Sequence, residues 1–140
     1  MTIILAQQRQ QIDACYPIMQ QLRPHITQAE FYARISAQQQ SGYHLAALIQ
    51  QQDCVAVAGF RIGDNLAWGR YLYVEDLVTD AQQRSRGHGR RLLEWLVAHA
   101  RQQDCQQLHL DSGLQRVDAH RFYQQHGMQH VSKHFSMLLD

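Results

Sequence analysis

The passage from Tyr71 to Leu110 constrains this chain more than any other. The apolar run Tyr71-Leu72-Tyr73-Val74-Glu75-Asp76-Leu77-Val78 reads as a strand, and Arg84-Ser85-Arg86-Gly87-His88-Gly89 follows it closely. From about Gly87 to Gln103, Leu92, Leu93, Leu96, Val97 and Ala100 fall on one helical face, with Arg90, Arg91, Glu94 and Arg101 largely elsewhere. Leu108-His109-Leu110 then makes a short strand. Strand, helix and strand in this succession form a right-handed crossover between parallel neighbours, which calls for a mixed α/β sheet.

The flanking segments extend that sheet. Ile12, Cys15, Tyr16, Met19 and Leu22 recur at helical spacing until Pro24 stops the pattern. Thr27 can cap a second helix, with Glu30 completing a capping box ahead of Phe31, Ile35 and the Ser41-Gly42 stop. The apolar runs 44–49 and 54–60, joined by the polar stretch Gln50 to Asp53, read as a hairpin, and Gly63-Asp64-Asn65 is a further turn. Val117 to His126 reads as a helix stopped by Gly127, and Met128 to Leu139 as two final strands. The expected order is β-α-α-β-β-β-α-β-α-β-β: an α/β fold of about seven strands flanked by about four helices.

A length of 140 residues suits one domain spanning 1–140, large enough for a sizeable core. A formal net charge of +1 argues against a nucleic-acid partner held by bulk charge, so any anion site must be local. Cys15, Cys54 and Cys105 are odd in number and widely spaced, which indicates neither a disulfide framework nor a zinc site. The start of the chain lacks a basic leader and meets Gln7-Gln8 early, and no transmembrane run follows; a cytoplasmic protein without a membrane partner is expected.

The glycine turn is where chemistry enters. A helix N-terminus offers unpaired N–H groups and the positive end of its dipole, and glycine lets the backbone approach a phosphate. Arg84, Arg86, Arg90 and Arg91 add donors and charge around the same turn, which suits a pyrophosphate better than a carboxylate. The Lys-Ser/Thr of a Walker loop is absent, and Leu92 stands where a dinucleotide fingerprint needs its last glycine. Nucleoside triphosphates and NAD are poor ligands for such a turn. The bland alternative is a glycine pair that merely eases a tight strand-to-helix connection.

Arg84-x-x-Gly87-x-Gly89, with its preceding strand and following helix, resembles the Arg/Gln-x-x-Gly-x-Gly/Ala motif of the GNAT acetyltransferase superfamily. The resemblance implies that the turn Arg84, Ser85, Arg86, Gly87, His88, Gly89 and Arg90 holds the pyrophosphate of acetyl-CoA. It also implies that Leu77, Val78 and Thr79 lend backbone hydrogen bonds to the pantetheine arm. Within the turn, His88 reads as an exposed residue. The family's Val-x-Pro-x-x-Arg spacing is departed from here, because Val78 to Arg84 is one residue longer and lacks the proline.

Ala119 to Met128 is similar to the family's Ala-x-x-Phe-Tyr-x-x-x-Gly-Phe segment, which gives Tyr123 the place of a hydroxyl near the coenzyme sulfur. A phenol of pKa about 10 can protonate a departing thiolate at modest cost. Arg116 stands where the family often has asparagine. Glu75 and Asp76 interrupt an apolar strand, and a buried carboxylate is costly unless paired or protonated. Strand alternation would send one acid into the cleft and the other to the opposite layer. Their bland role is pairing with arginines such as Arg61 or Arg70. Tyr-x-Glu-Asp also resembles spermidine/spermine acetyltransferases, which favours Glu75 as the group accepting the amine proton and leaves Asp76 and Asp111 as weaker substrate contacts.

No metal is expected: His126, His130 and His134 are evenly spaced, but Gly127 breaks the helix between the first two. The resemblance thus implies an N-acetyltransferase acting on a small-molecule or peptide amine, with acetyl-CoA as co-substrate. A non-catalytic acyl-CoA-binding regulatory module of the same fold is the alternative. The C-terminal strands of such folds often pair between subunits, which leaves a homodimer open.

Overall fold

In the computed structural model, which describes residues 1–139, the chain falls into two compact units, Met1–His109 and the residues from Leu110 onward. The first unit opens with strand β1, Thr2–Leu5, and helix α1, Arg9–Leu22. Helix α2, Gln28–Gln39, begins at a reciprocal cap in which Glu30 N–H donates to Thr27 Oγ1 and Thr27 N–H to Glu30 Oε1. That pair satisfies two N–H groups that a helix start would otherwise strand. Strands β2 (Tyr43–Gln50), β3 (Asp53–Asn65) and β4 (Gly69–Thr79) follow, then helix α3 (His88–Gln102) and strand β5 (Gln107–Leu110).

The strands form one mixed sheet in the order β1-β2-β3-β4-β5, in which β1 to β4 pair antiparallel with their neighbours. Its two faces are covered differently. Ile12, Cys15, Tyr16, Ile18 and Met19 of α1, with Phe31 and Ile35 of α2, pack on Tyr43, Leu45, Ala47 and Val57. On the other face Phe60, fully buried, meets Trp95 and His99 of α3 at ring distances of 6.1 and 5.4 Å, while Leu92 and Leu96 are also fully buried. The 3.6-residue period of the helices and the two-residue period of the strands each deliver their apolar side chains to these two layers.

The second unit carries helix α4, Val117–Gln125, ended by Gly127 in a left-handed conformation at φ 88°. Here the expectation of seven strands fails: Met128 to Leu139 forms no strand, and among the described residues the sheet has five. Val131, Phe135, Met137, Leu138 and Leu139 are all strongly exposed. Their apolar character suggests strands, but a strand exists through the ladder it makes with a partner, and composition cannot supply that partner.

Candidate functional site

Strand β4 is interrupted by a bulge that decides where its acids go. Gly59 of β3 pairs with Asp76, but the next residue, Phe60, pairs with Val74, so Glu75 is the extra residue. Simple alternation would place Glu75 and Asp76 on opposite faces, and the bulge overturns that expectation. Asp76 Oδ2 accepts from the Tyr43 hydroxyl at 2.8 Å, and Glu75 Oε2 accepts from Arg61 Nε at 2.7 Å. Tyr43 and Arg61 are themselves cross-strand partners, so both carboxylates engage the face covered by α1 and α2.

The end of α1 completes the cluster. Arg23, its C-cap, donates from Nε to Asp76 Oδ1 at 2.8 Å and from Nη2 to the Glu75 carbonyl at 3.0 Å. Arg61 reaches further, from Nη1 to the Ser41 carbonyl and from Nη2 to Gln38 Oε1. Arg61 is therefore the arginine that Glu75 meets, whereas Arg70 donates to the Gln103 carbonyl. The two acids differ in environment: the Asp76 side chain is 14% exposed and that of Glu75 35%. Burial, first, and then the neighbouring Asp76 push the Tyr43 phenol well above its ordinary range, so it stays a donor to that carboxylate.

Gly59 makes this arrangement sterically feasible. A Cβ there would lie 1.6 Å from the Tyr43 hydroxyl oxygen and 2.8 Å from Asp76 Oδ2. The tyrosine crosses the strand through the space that a side chain would fill. Arg23, Tyr43 and Gly59 were not singled out from the sequence. Gly59 did carry a signal, since a glycine inside an apolar strand marks a close approach; Arg23 carried none.

Beyond the bulge, Leu77, Val78 and Thr79 pair with Ala58, Val57 and Ala56 on one side. On the other side, the four residues of β5 cannot accompany the eleven of β4 along its length. Part of that backbone edge therefore has no strand on it. From Thr79 the chain enters a single 3₁₀ turn, Ala81–Gln83, that is tied down from two directions. Asp80 N–H donates to the Val55 carbonyl at 2.8 Å, and Gln21 of α1 accepts from Ala81 N–H and donates to Asp80 Oδ1.

The glycine turn follows. Ser85 and Gly87 both take positive φ, 65° and 81°, and a Cβ at Gly87 would meet nothing within 4 Å. Gly87 is thus needed for its backbone angle rather than for space. It caps α3 without any side-chain bond, and the first turn holds no acid. Its N–H groups and dipole are left for an external anion. Arg84, Arg86, Arg90 and Arg91 are exposed around it, with Arg86 bonded to Gln83 Oε1 and Arg90 3.8 Å from Glu94. His88 is not the exposed residue expected: it is 3% exposed, and neither ring nitrogen has a hydrogen-bond partner.

Tyr123 and Asp111 belong to the second unit. Tyr123 is half-buried on α4 beside Phe122, their rings 5.4 Å apart. Burial raises its phenol pKa, against the opposing charge of Arg116. Asp111 Oδ2 lies 3.4 Å from His134 Nδ1. Among the described residues, no three His, Cys, Asp or Glu side chains are gathered closely enough to hold a metal ion, and no helix is long and apolar enough to cross a membrane.

A bulged strand thus leads, through one 3₁₀ turn, to an arginine-flanked helix start that has no side-chain cap, an arrangement whose chemistry suits an anion. The acetyltransferase (GNAT) family model matches residues 7–128. The chain is 38% identical over 109 residues to the uncharacterized N-acetyltransferase YhdJ of Bacillus subtilis, covering 77% of each. Two solved structures share its fold. One is an acetyltransferase of Trypanosoma brucei, with TM-score 0.82, 19% identity and 99% of each chain covered. The other is a ribosomal-protein-alanine N-acetyltransferase of Brucella melitensis, with TM-score 0.84, 13% identity, and 99% and 100% covered. This chain belongs to the GNAT family of acetyltransferases, and it is an acyltransferase enzyme.

Proposed function

We propose that the enzyme transfers the acetyl group of acetyl-CoA to a primary amine, of a small molecule or a peptide, by direct attack in a ternary complex. The observation that carries this reading is the bulge at Glu75, which sets the Glu75 and Asp76 carboxylates side by side on one face of β4. The turn fits the coenzyme, since the first turn of α3 has no cap or acid of its own and four arginines surround it. Acetyl-CoA supplies the thioester acetyl.

The chain's own residues divide the remaining work. Amides of the turn Arg84, Ser85, Arg86, Gly87, His88, Gly89 and Arg90 bind the pyrophosphate, and the backbone of Leu77, Val78 and Thr79 aligns the pantetheine. Arg61 fixes Glu75 through Oε2, and the other oxygen takes the amine proton. The Tyr123 hydroxyl, kept protonated by burial, gives its proton to the departing sulfur. Asp76, held by Arg23 and Tyr43, orients the substrate with Asp111. Catalysis is mainly positioning. The cytoplasm, where acetyl-CoA is made and used, is the proposed setting.

Thiol release from acetyl-CoA across a panel of amines tests the reading. Glu75→Gln and Tyr123→Phe should each lower kcat by about 10²-fold. Coenzyme binding with no turnover of any amine would favour the regulatory module, and variants equal to the parent would remove both residues from the mechanism.

A further inference from the structure

Two cysteines that the acetyl-transfer reading does not use share one apolar cluster between α1 and β3. Cys15 is fully buried on the inner face of α1, where its thiol donates to the Gln11 carbonyl at 3.4 Å. Cys54, second residue of β3, packs on the same apolar cluster and donates to the Ala56 carbonyl at 3.6 Å. The two thiols are near enough for each to influence the other's ionisation. Both are free thiols, and Cys54 remains partly open to solvent while Cys15 is closed off.

A buried cysteine is commonly a small apolar filler. That role explains Cys15 alone, but not a second thiol at the rim of the same cluster. Their nearness gives the two groups unequal chemistry. When Cys54 ionises, the Cys15 S–H, which otherwise donates to the Gln11 carbonyl, can turn to it instead; that favours the Cys54 thiolate and lowers its pKa against the opposing effect of burial. The shared bond and then burial push Cys15 upward. Cys54 is thus the accessible, more readily ionised partner, and Cys15 the sheltered one. Cys105 stands apart, its pKa raised by burial and opposed by Arg70.

We propose that Cys15 and Cys54 are an oxidisable dithiol, a modification site at which a peroxide closes a disulfide between α1 and β3. The Cys54 thiolate attacks a peroxide oxygen, forming an S–O bond as the O–O bond breaks, and the released hydroxide leaves as water on taking a proton. Cys15 then attacks the Cys54 sulfur, forming the S–S bond as the S–O bond breaks, and a second water carries away the Cys15 proton. Two thiols and one hydrogen peroxide become one disulfide and two waters. A dithiol reductant reverses the change by exchange.

Peptide mapping of the full chain tests this without reference to acetyl transfer. Trypsin places the three cysteines in separate peptides, residues 10–34, 35–61 and 102–116, because Arg23 is followed by Pro24. After hydrogen peroxide treatment, 10–34 should appear linked to 35–61, with an intact mass lower by about 2 Da and full reversal by dithiothreitol. In Cys15→Ala, Cys54 should stop as a sulfenic acid that a dimedone probe captures; in Cys54→Ala, Cys15 should stay reduced. Three free thiols after oxidation, a link through Cys105, or Cys15 oxidised in the Cys54→Ala protein would each overturn the proposal.

Discussion

At the scale of single residues, the site depends on a side chain that is missing. Gly59→Ala would drive a methyl group into the Tyr43 ring and the Asp76 carboxylate, which are held by other bonds and cannot retreat freely. Urea denaturation should show a loss of about 2–4 kcal/mol, at the upper end for overpacking because the obstacle is a buried ring. Tyr43 also sets an alkaline limit. Its phenol titrates far higher in the folded chain than in the unfolded one, so the folded state retains a proton that the unfolded state releases above about pH 10. Stability should be flat below that value and fall as pH rises beyond it. Tyr43→Phe should lose about 1–2 kcal/mol at neutral pH through the broken bond to Asp76, but show a shallower alkaline decline. Denaturation midpoints at pH 8 and above about pH 10.5 compare the two slopes.

At the scale of elements, the hairpin between β2 and β3 turns on two glutamines, Gln51 and Gln52, with φ of 51° and 72°. Paired left-handed residues match the twist of the flanking strands, but glutamine adopts that conformation reluctantly. Replacing the pair with Asn-Gly should raise stability by about 1–2 kcal/mol, measured as a shift of the urea midpoint at unchanged slope. Thr27→Ala should cost about 1 kcal/mol through loss of the α2 cap. Such local signals made much of the fold readable: the Thr27–Glu30 box, the period of Leu92, Leu93 and Leu96, and the polar turn at Gln50 to Asp53 all stand where their chemistry placed them. Features that depend on a distant partner were not readable. The run Val74-Glu75-Asp76-Leu77 gives no hint of a bulge, which arises from register against Gly59 and Phe60. Met128 to Leu139 has the composition of strands without the ladder. Arg23 reaches Asp76 only after α1 has been laid across the sheet.

At the scale of the whole molecule, the burial of apolar side chains is divided unequally. Every fully buried hydrophobic residue among those described, from Ala6 to Ala100, lies in the first unit. The second holds half-buried groups such as Phe122 and Tyr123 and strongly exposed ones such as Phe135 and Leu138. Local opening free energy follows buried apolar contact, so the two units should open at different cost. Native-state hydrogen exchange should find the slowest amides in β2 and β3, near Leu45 to Leu48 and Val55 to Ala58, opening only with global unfolding. Amides of residues 117–139 should exchange through smaller openings, faster by at least about 10²-fold, a difference near 2.7 kcal/mol. Acetyl-CoA at a hundred times its dissociation constant should raise global stability by about 2.7 kcal/mol and slow the β2 and β3 amides accordingly. Its local mark, if the coenzyme lies where proposed, is added protection at residues 77–79 and 84–90 beyond that global increment. Uniform protection without that excess would place the coenzyme elsewhere, and equal exchange in the two units would show that the buried core of the first unit governs the second as well.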